Sequence, residues 1–509
     1  MDLSHLWTPL EPIAENRDLI RQDLKRGLAP NLPYFIVGLK NVKTSLGGLI
    51  SNIDHHFSYG MIWGQYGNGK SNLMKYLRYY FEQHGENHAK VSIWRADVDR
   101  YDIVTFLLYI LQNEFEADLL SSLKAVVAEG KTSEMCDANS GSFGAIKGFV
   151  EKIEEKISSD DDLKNLVALG TGKYYDANKF KAYGLQKLTD YNRREVLVFF
   201  LNALAYTQHY IIFCIDELEK IQEKSKARFQ SFLTTFRELI DLSSSINGHL
   251  ILGSITDAVS KTGDHSFDSY NPAFERRIKD YKYELKSIRD LGDIKDMAQE
   301  LVRVLNITEP DNYDDVANAV YKKISKLRHT SDVVRAVFAE LLKQTGEKTW
   351  EDLLVEANLN EAFEEKRQEL KDSGVLLRVD QKLFAPLKDY VNILSNREDD
   401  YDVRSQMLQC VYCKATNRCY VFLITDSYDA NINRLRNVMN EFPNAELYVF
   451  KPEGLDIGMG SLVDKEKIDS VKNLIPYDPI DLIALLELYM EDYNNPKLAE
   501  ILNLYTYHL

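Results

Sequence analysis

The eight residues Gly64-Gln65-Tyr66-Gly67-Asn68-Gly69-Lys70-Ser71 constrain this chain more than any other stretch. They satisfy G-x-x-x-x-G-K-[ST] and lie between an apolar run and a helical pattern. Tyr59 to Trp63 is short and apolar, as a buried strand is, and Ser71 to Phe81 carries Leu73, Met74, Leu77, Tyr80 and Phe81 at helical spacing. Strand, glycine-rich loop and helix in that order make an anion cradle. Gly64 and Gly69 permit backbone conformations that aim N–H groups at phosphate oxygens, the helix N-terminus adds its positive dipole end, and Lys70 neutralises β/γ charge. The Ser71 hydroxyl suits a magnesium ion. The expected cradle is therefore Gly64, Gln65, Tyr66, Gly67, Asn68, Gly69, Lys70, Ser71 and the following Asn72, and the expected cofactors are ATP and Mg²⁺.

A second strand supplies the acids such a site needs. Ile211-Ile212-Phe213-Cys214-Ile215 is apolar and ends in Asp216-Glu217. Asp216 is expected to join Ser71 as a magnesium residue, acting through the ion's water shell, and Glu217 to orient and polarise the attacking water for in-line displacement. A further apolar run, Ile251 to Ile255, ends at Thr256; Thr256 is the candidate for reaching the γ-phosphate or the water, with Ser254 as its competitor. Pro272-Ala273-Phe274-Glu275-Arg276-Arg277-Ile278 places two arginines just before another strand candidate, Tyr281 to Leu285. Arg276 or Arg277 can reach a neighbouring subunit's phosphate from there; the alternative is a solvated basic turn pairing with Glu275 or Asp280. Arg335, in Thr330-Ser331-Asp332-Val333-Val334-Arg335, is a candidate phosphate contact from a helical segment.

The alternation of strand and helix predicts the α/β class. Residues 1–55 read as a mixed N-terminal segment, 56–288 as the core with a helical insertion at 116–190, 289–350 as a helical lid, and 351–509 as a separate small α/β domain. In that last part, Met407 to Tyr412 and Tyr420 to Thr425 read as a hairpin, followed by a helix from Ile432 to Phe442 and a strand from Ala445 to Phe450. The polar run Asn396 to Asp402 reads as a loop.

The loop GQYGNGKS, the strand IIFCIDE, the strand ILGSIT and the arginine pair in PAFERRI stand in one order over roughly residues 36–345. In that order they resemble the AAA+ P-loop ATPases of the origin-recognition and STAND-like branch. The run REVLVFFLNALAYTQHYIIFCIDELEKI followed by FRELIDL is similar to the ATP-binding proteins of bacterial phage-defence islands of the BREX type. The resemblance implies a five-stranded parallel sheet with a helical lid, ATP and Mg²⁺, a homo-oligomer with nucleotide at subunit junctions, and double-stranded DNA as a partner. The spacing of Arg335 departs from the family's pattern, and the 116–190 insertion lies outside the shared core.

Composition bounds the rest. With 62 Lys+Arg against 78 Asp+Glu the chain of 509 residues carries a net charge of −16, which excludes a wholly basic nucleic-acid coat while leaving local basic faces at Arg276 to Lys286 and Tyr321 to Arg328. Five cysteines are too few and too uneven for a disulfide framework, so a reducing, cytoplasmic setting is expected. Cys410, Cys413 and Cys419 lack a fourth zinc ligand, so they read as buried thiols. No leader peptide or membrane span is expected, since Asn202, Thr207, Gln208 and His209 interrupt the most apolar stretch. A restriction-type nuclease is not expected, because Glu446-Leu447-Tyr448 has no lysine in place. The expected function is a hydrolysing ATPase that couples nucleotide state to assembly and to remodelling or sensing of a macromolecule. The competing readings are a slow nucleotide switch that recruits a protein effector through its C-terminal domain, and a scaffold that only holds nucleotide.

Overall fold

The computed structural model describes residues 3, 5–12, 14–26, 32–84, 89–96, 102–136, 143–172, 177–256, 266–346, 348–373, 379–395, 401–404, 408–424, 428–452, 473–492 and 495–506. The chain divides into two compact units. One comprises Met1–Glu11, Leu32–Ile288 and Arg328–Thr330, and the other Pro12–Asn31, Arg289–Leu327 and Ser331–Leu509. The stretch read as one N-terminal segment is thus shared between both units, and the helices of 289–350 share a unit with 351–509. An apolar stripe shows that a helix is packed without showing against what, so the helix Ala14–Lys25, with Ile20 and Leu24 buried, could not be assigned to a unit from its pattern.

The first unit is built on β1 (Ser58–Gly64), β2 (Ala89–Arg95), β3 (Tyr210–Asp216), β4 (Leu250–Thr256) and β5 (Lys282–Glu284). All neighbours run parallel, in the order β2-β3-β4-β1-β5. Strands buried on both faces must be apolar throughout, which is why β3 and β4 read as continuous Ile, Leu and Phe rather than alternating. Register aligns their carboxyl ends: Gly64 lies opposite Thr256, and Arg95 opposite Asp216. In open α/β sheets this edge is where ligands sit.

Helices fill the connections. Lys70–Gln83 buries Leu73, Met74, Leu77, Tyr80 and Phe81, and Tyr76 on it stacks on Trp7 at 5.7 Å while its hydroxyl donates to the Thr8 carbonyl at 2.7 Å. The expected insertion is helical where described, with Glu116–Ala128, Phe143–Lys156, Asp160–Gly170 and Ala177–Ala182 preceding Asp190–Tyr206. Thr189 caps that last helix through a reciprocal box with Asn192.

His249 ties β3 and β4 to the Asp190–Tyr206 helix. It is fully buried; its Nδ1 accepts the Ile211 N–H at 3.1 Å and its Nε2 lies 2.8 Å from the Leu201 carbonyl, so only the neutral Nε2–H tautomer satisfies both. Burial pushes its pKa from 6.5 down to about 4. The folded value lies below the unfolded one, so this stability is present above pH 6.5 and lost as the pH falls toward 4. About 3 kcal/mol is expected to disappear across that window. Urea unfolding at pH 7.5, 5.5 and 4.5 checks it, with His249→Gln expected to flatten the slope.

The second unit holds a sheet of β6 (Tyr401–Arg404), β7 (Cys410–Cys413), β8 (Arg418–Phe422), β9 (Glu446–Pro452) and β10 (Asn473–Tyr477), in the order β10-β9-β8-β7-β6. The first three are antiparallel neighbours and β8, β9 and β10 are parallel, so the hairpin and βαβ piece are present and two further strands flank them. Neither flank is an apolar run of strand length. β6 is Tyr-Asp-Val-Arg, from a stretch partly read as loop, and β10 carries Pro476, which an edge strand tolerates. The helix Tyr428–Glu441 covers one face with Ile432, Leu435 and Val438, while Val379–Ser395 and Pro479–Glu491 cover the other. Cys410 and Cys419 lie on the first face and Cys413 on the second, so the three thiols do not converge. Arg26, 1% exposed, sets its guanidinium 5.0 Å from the Tyr505 ring centre and 5.9 Å from that of Phe450, which holds the end of the Ala14–Lys25 helix against this unit. The chain is α/β: a core on a five-stranded parallel sheet in the first unit, and helices with a small five-stranded mixed sheet in the second.

Candidate functional site

The cradle forms where β1 ends. A side chain at Gly64 would place its Cβ 2.5 Å from the Leu285 carbonyl oxygen, so only glycine allows the strand end to approach that backbone. Gly69 has φ 86°, the left-handed conformation that turns the chain into the Lys70–Gln83 helix. Lys70 is buried, and its Nζ donates to the carbonyls of Gly64 at 3.0 Å and Gln65 at 3.2 Å. The ammonium is thereby fixed inside the loop. Tyr66 stands at the loop's tip, 67% exposed.

Asn68 and Asn72 are engaged with protein. Asn68 Nδ2 donates to the Leu285 carbonyl at 3.0 Å, and its Oδ1 accepts the Ser287 hydroxyl at 2.9 Å. Asn72 Oδ1 accepts the Leu32 N–H at 3.0 Å. These amides anchor the loop to the chain after β5 and to the segment before the core, a task their position in the motif did not disclose.

The acids meet the cradle at its serine. Ser71 Oγ donates to Asp216 Oδ2 at 2.5 Å, across the space between β1 and β3. A hydroxyl and a carboxylate are the hard oxygen groups magnesium favours; Ser71 would hold the ion directly and Asp216 through its water shell. The pair fits that ion. Glu217 follows with φ 57°, a left-handed conformation rare outside glycine, and its carboxylate pairs with Arg95 Nε at 3.2 Å. Burial raises the Glu217 pKa above its usual value, and the Arg95 guanidinium acts against that rise.

On β4 the two hydroxyls part company. Thr256, favoured from the sequence, gives its hydroxyl and its N–H to the Glu219 carboxylate, the latter at 3.2 Å. Ser254 is the one joined to the acids: its hydroxyl donates to Asp216 Oδ1 and accepts the Glu217 N–H at 3.1 Å. Alternation along a strand puts 254 and 256 on the same face, so register with β3, not residue type, separates them.

The arginine pair also divides. Arg277 forks onto Asp241, with Nε 2.5 Å from Oδ1 and Nη2 3.0 Å from Oδ2, and Nη1 donates to the Ala273 carbonyl. Arg276 is exposed and has no hydrogen-bond or ion-pair partner among the described residues. Arg335 belongs to the other unit, where its guanidinium pairs with Asp332 at 2.5 Å. Arg95 and Glu219 were missed; a basic residue ending a strand and an acid two positions beyond a strand-end pair are the only signals they left.

Among the described residues no cluster of three or more His, Cys, Asp or Glu is arranged to hold a metal ion, and no helix is long and apolar enough to cross a membrane. No family model matches the chain, and no curated protein does. Among solved structures, the Aeropyrum pernix ORC2 protein in ADPNP-ADP complexes aligns over 90% of this chain and 94% of that one, at 12% identity and a TM-score of 0.33.

Proposed function

We propose that this chain binds and hydrolyses ATP with magnesium, assembles into a homo-oligomer, and couples its nucleotide state to the remodelling or sensing of a macromolecular partner. The observation that carries the reading is the 2.5 Å contact between Ser71 of the cradle and Asp216, with Lys70 and Glu217 on the same sheet edge. Lys70 would neutralise phosphate charge, Ser71 and Asp216 would hold the ion, and Glu217 would take a proton from the attacking water. Bound there, magnesium would neutralise the charge that develops on the phosphate oxygens. The ion pair with Arg95 keeps the Glu217 carboxylate occupied, which favours the second reading, a switch of low basal turnover.

Double-stranded DNA and a role in phage defence belong to this proposal through sequence resemblance. Exposed Lys279 in the first unit and, separately, exposed Lys322 and Lys326 in the second support phosphate contacts, whereas Lys282, Lys286 and Lys323 are paired with Glu275, Glu284 and Glu340.

Arg276, exposed and without a partner among the described residues, is the candidate of the two to act in trans on a neighbour's phosphate. Arg276→Ala is expected to lower turnover by about 10³ or more at unchanged stability, the scale of a lost arginine finger. Arg277→Ala loses its bidentate partner and is expected to cost up to about 1 kcal/mol of stability, with turnover per folded molecule retained. Steady-state rates and thermal unfolding of both variants decide it; equal rates in both would contradict the assignment of Arg276.

A further inference from the structure

A hydroxyl in the middle of the apolar strand Leu250–Thr256 calls for a reason, because a buried polar group without partners costs about 1–3 kcal/mol. Ser254 is fully buried, opposite Ile62 in the sheet. It touches three consecutive residues of the acidic turn. Its hydroxyl donates to Asp216 Oδ1 and accepts the Glu217 N–H at 3.1 Å, and its carbonyl accepts the Leu218 N–H at 3.0 Å.

Two consequences follow from that geometry. Asp216 has one oxygen committed to Ser254 and the Glu217 N–H, which leaves Oδ2 directed at Ser71. Glu217 holds a left-handed backbone, unfavourable for a residue with a Cβ, and the amides on both sides of its carbonyl terminate on Ser254. Such a conformation persists only where its surroundings over-determine it.

We propose that Ser254 is a positioning residue for the whole acidic pair: it presents Asp216 Oδ2 to Ser71 and the ion, and it pins Glu217 in the backbone conformation from which its carboxylate acts. The proposal rests on the reading of the site as a magnesium–ATP site. Removing the hydroxyl leaves Asp216 Oδ1 with the Glu217 N–H alone and the turn with the Ser254 carbonyl alone, which loosens both acids, while Lys70 keeps its contacts within the glycine loop. Loss of a group that orients a metal-binding carboxylate typically costs about 10–100-fold in metal affinity or activity.

The test compares wild type with Ser254→Ala by the affinity of a non-hydrolysable ATP analogue with excess magnesium and with EDTA, together with steady-state turnover. In EDTA the two proteins are expected to bind alike. Magnesium is expected to strengthen binding at least about 10-fold less in the variant, and kcat to fall by about 10–100-fold. A variant with wild-type magnesium dependence and wild-type kcat overturns the proposal, as does one whose EDTA affinity falls as much as its magnesium affinity, since that marks a damaged cradle. If Ser254→Ala does not fold, the near-isosteric Ser254→Cys carries the test: its weaker donor is expected to move both readouts the same way, and wild-type values in it overturn the proposal. A wild type that binds the magnesium complex without turnover refutes hydrolysis alone, and the magnesium arm still decides Ser254. A wild type that binds no nucleotide refutes both.

Discussion

Glu217→Gln is expected to bind ATP and magnesium within a few-fold of wild type and to lose steady-state turnover by about 10² to 10⁴, the contribution of a positioned general base. The substitution is nearly isosteric, so the turn held by Ser254 through the backbone N–H is retained. What changes is chemistry. An amide cannot take a proton from water, and it cannot form the ion pair that joins Glu217 to Arg95 at 3.2 Å. Burial lifts the Glu217 pKa, which strengthens it as a base, and the Arg95 guanidinium acts against that rise. Turnover assays with a parallel binding measurement separate the two effects; a variant that turns over as wild type would remove Glu217 from the chemistry.

Lys70→Ala is expected to act one step earlier, at binding. Its ammonium already sits inside the loop on the carbonyls of Gly64 and Gln65, so its charge is placed before any phosphate arrives. Loss of a charge-assisted contact of about 1.5–3 kcal/mol corresponds to about 10–150-fold weaker nucleotide binding. The two loop carbonyls also lose their donor, which loosens the cradle and adds to the effect. Titration with a fluorescent ATP analogue measures it, and wild-type affinity in this variant would show that the loop does not hold phosphate.

The site was legible in the sequence to the extent that it is local. Gly64 to Ser71 is contiguous, and Asp216-Glu217 ends an unbroken apolar run, so glycine placement and strand patterning mark both. The features that depend on strands lying side by side were not marked. Ser254 and Thr256 are both hydroxyl residues two positions apart, and only their place against β3 gives one to Asp216 and the other to Glu219. Arg276 and Arg277 are neighbours in sequence; their helix turns one toward Asp241 and leaves the other in solvent. Arg95 is separated from Glu217 by more than a hundred residues and meets it because β2 and β3 are paired in register.

The fold shows the same division. Strands β1, β3 and β4 of the first sheet were marked by apolar runs, whereas β6 is only four residues long and β10 carries a proline, so both exist through the neighbours they pair with. The grouping of Pro12–Asn31 with the second unit follows from partners that no local pattern reveals, among them the aromatic rings around Arg26.

The most direct test of the central claim is steady-state ATP hydrolysis by the purified wild-type chain, with magnesium and with EDTA, while its mass in solution is followed. The proposed function predicts magnesium-dependent release of phosphate, above the rate in Glu217→Gln, together with nucleotide-dependent assembly. Absence of turnover in wild type under both conditions, with ATP bound, would contradict hydrolysis and leave the chain as a nucleotide-held switch or scaffold.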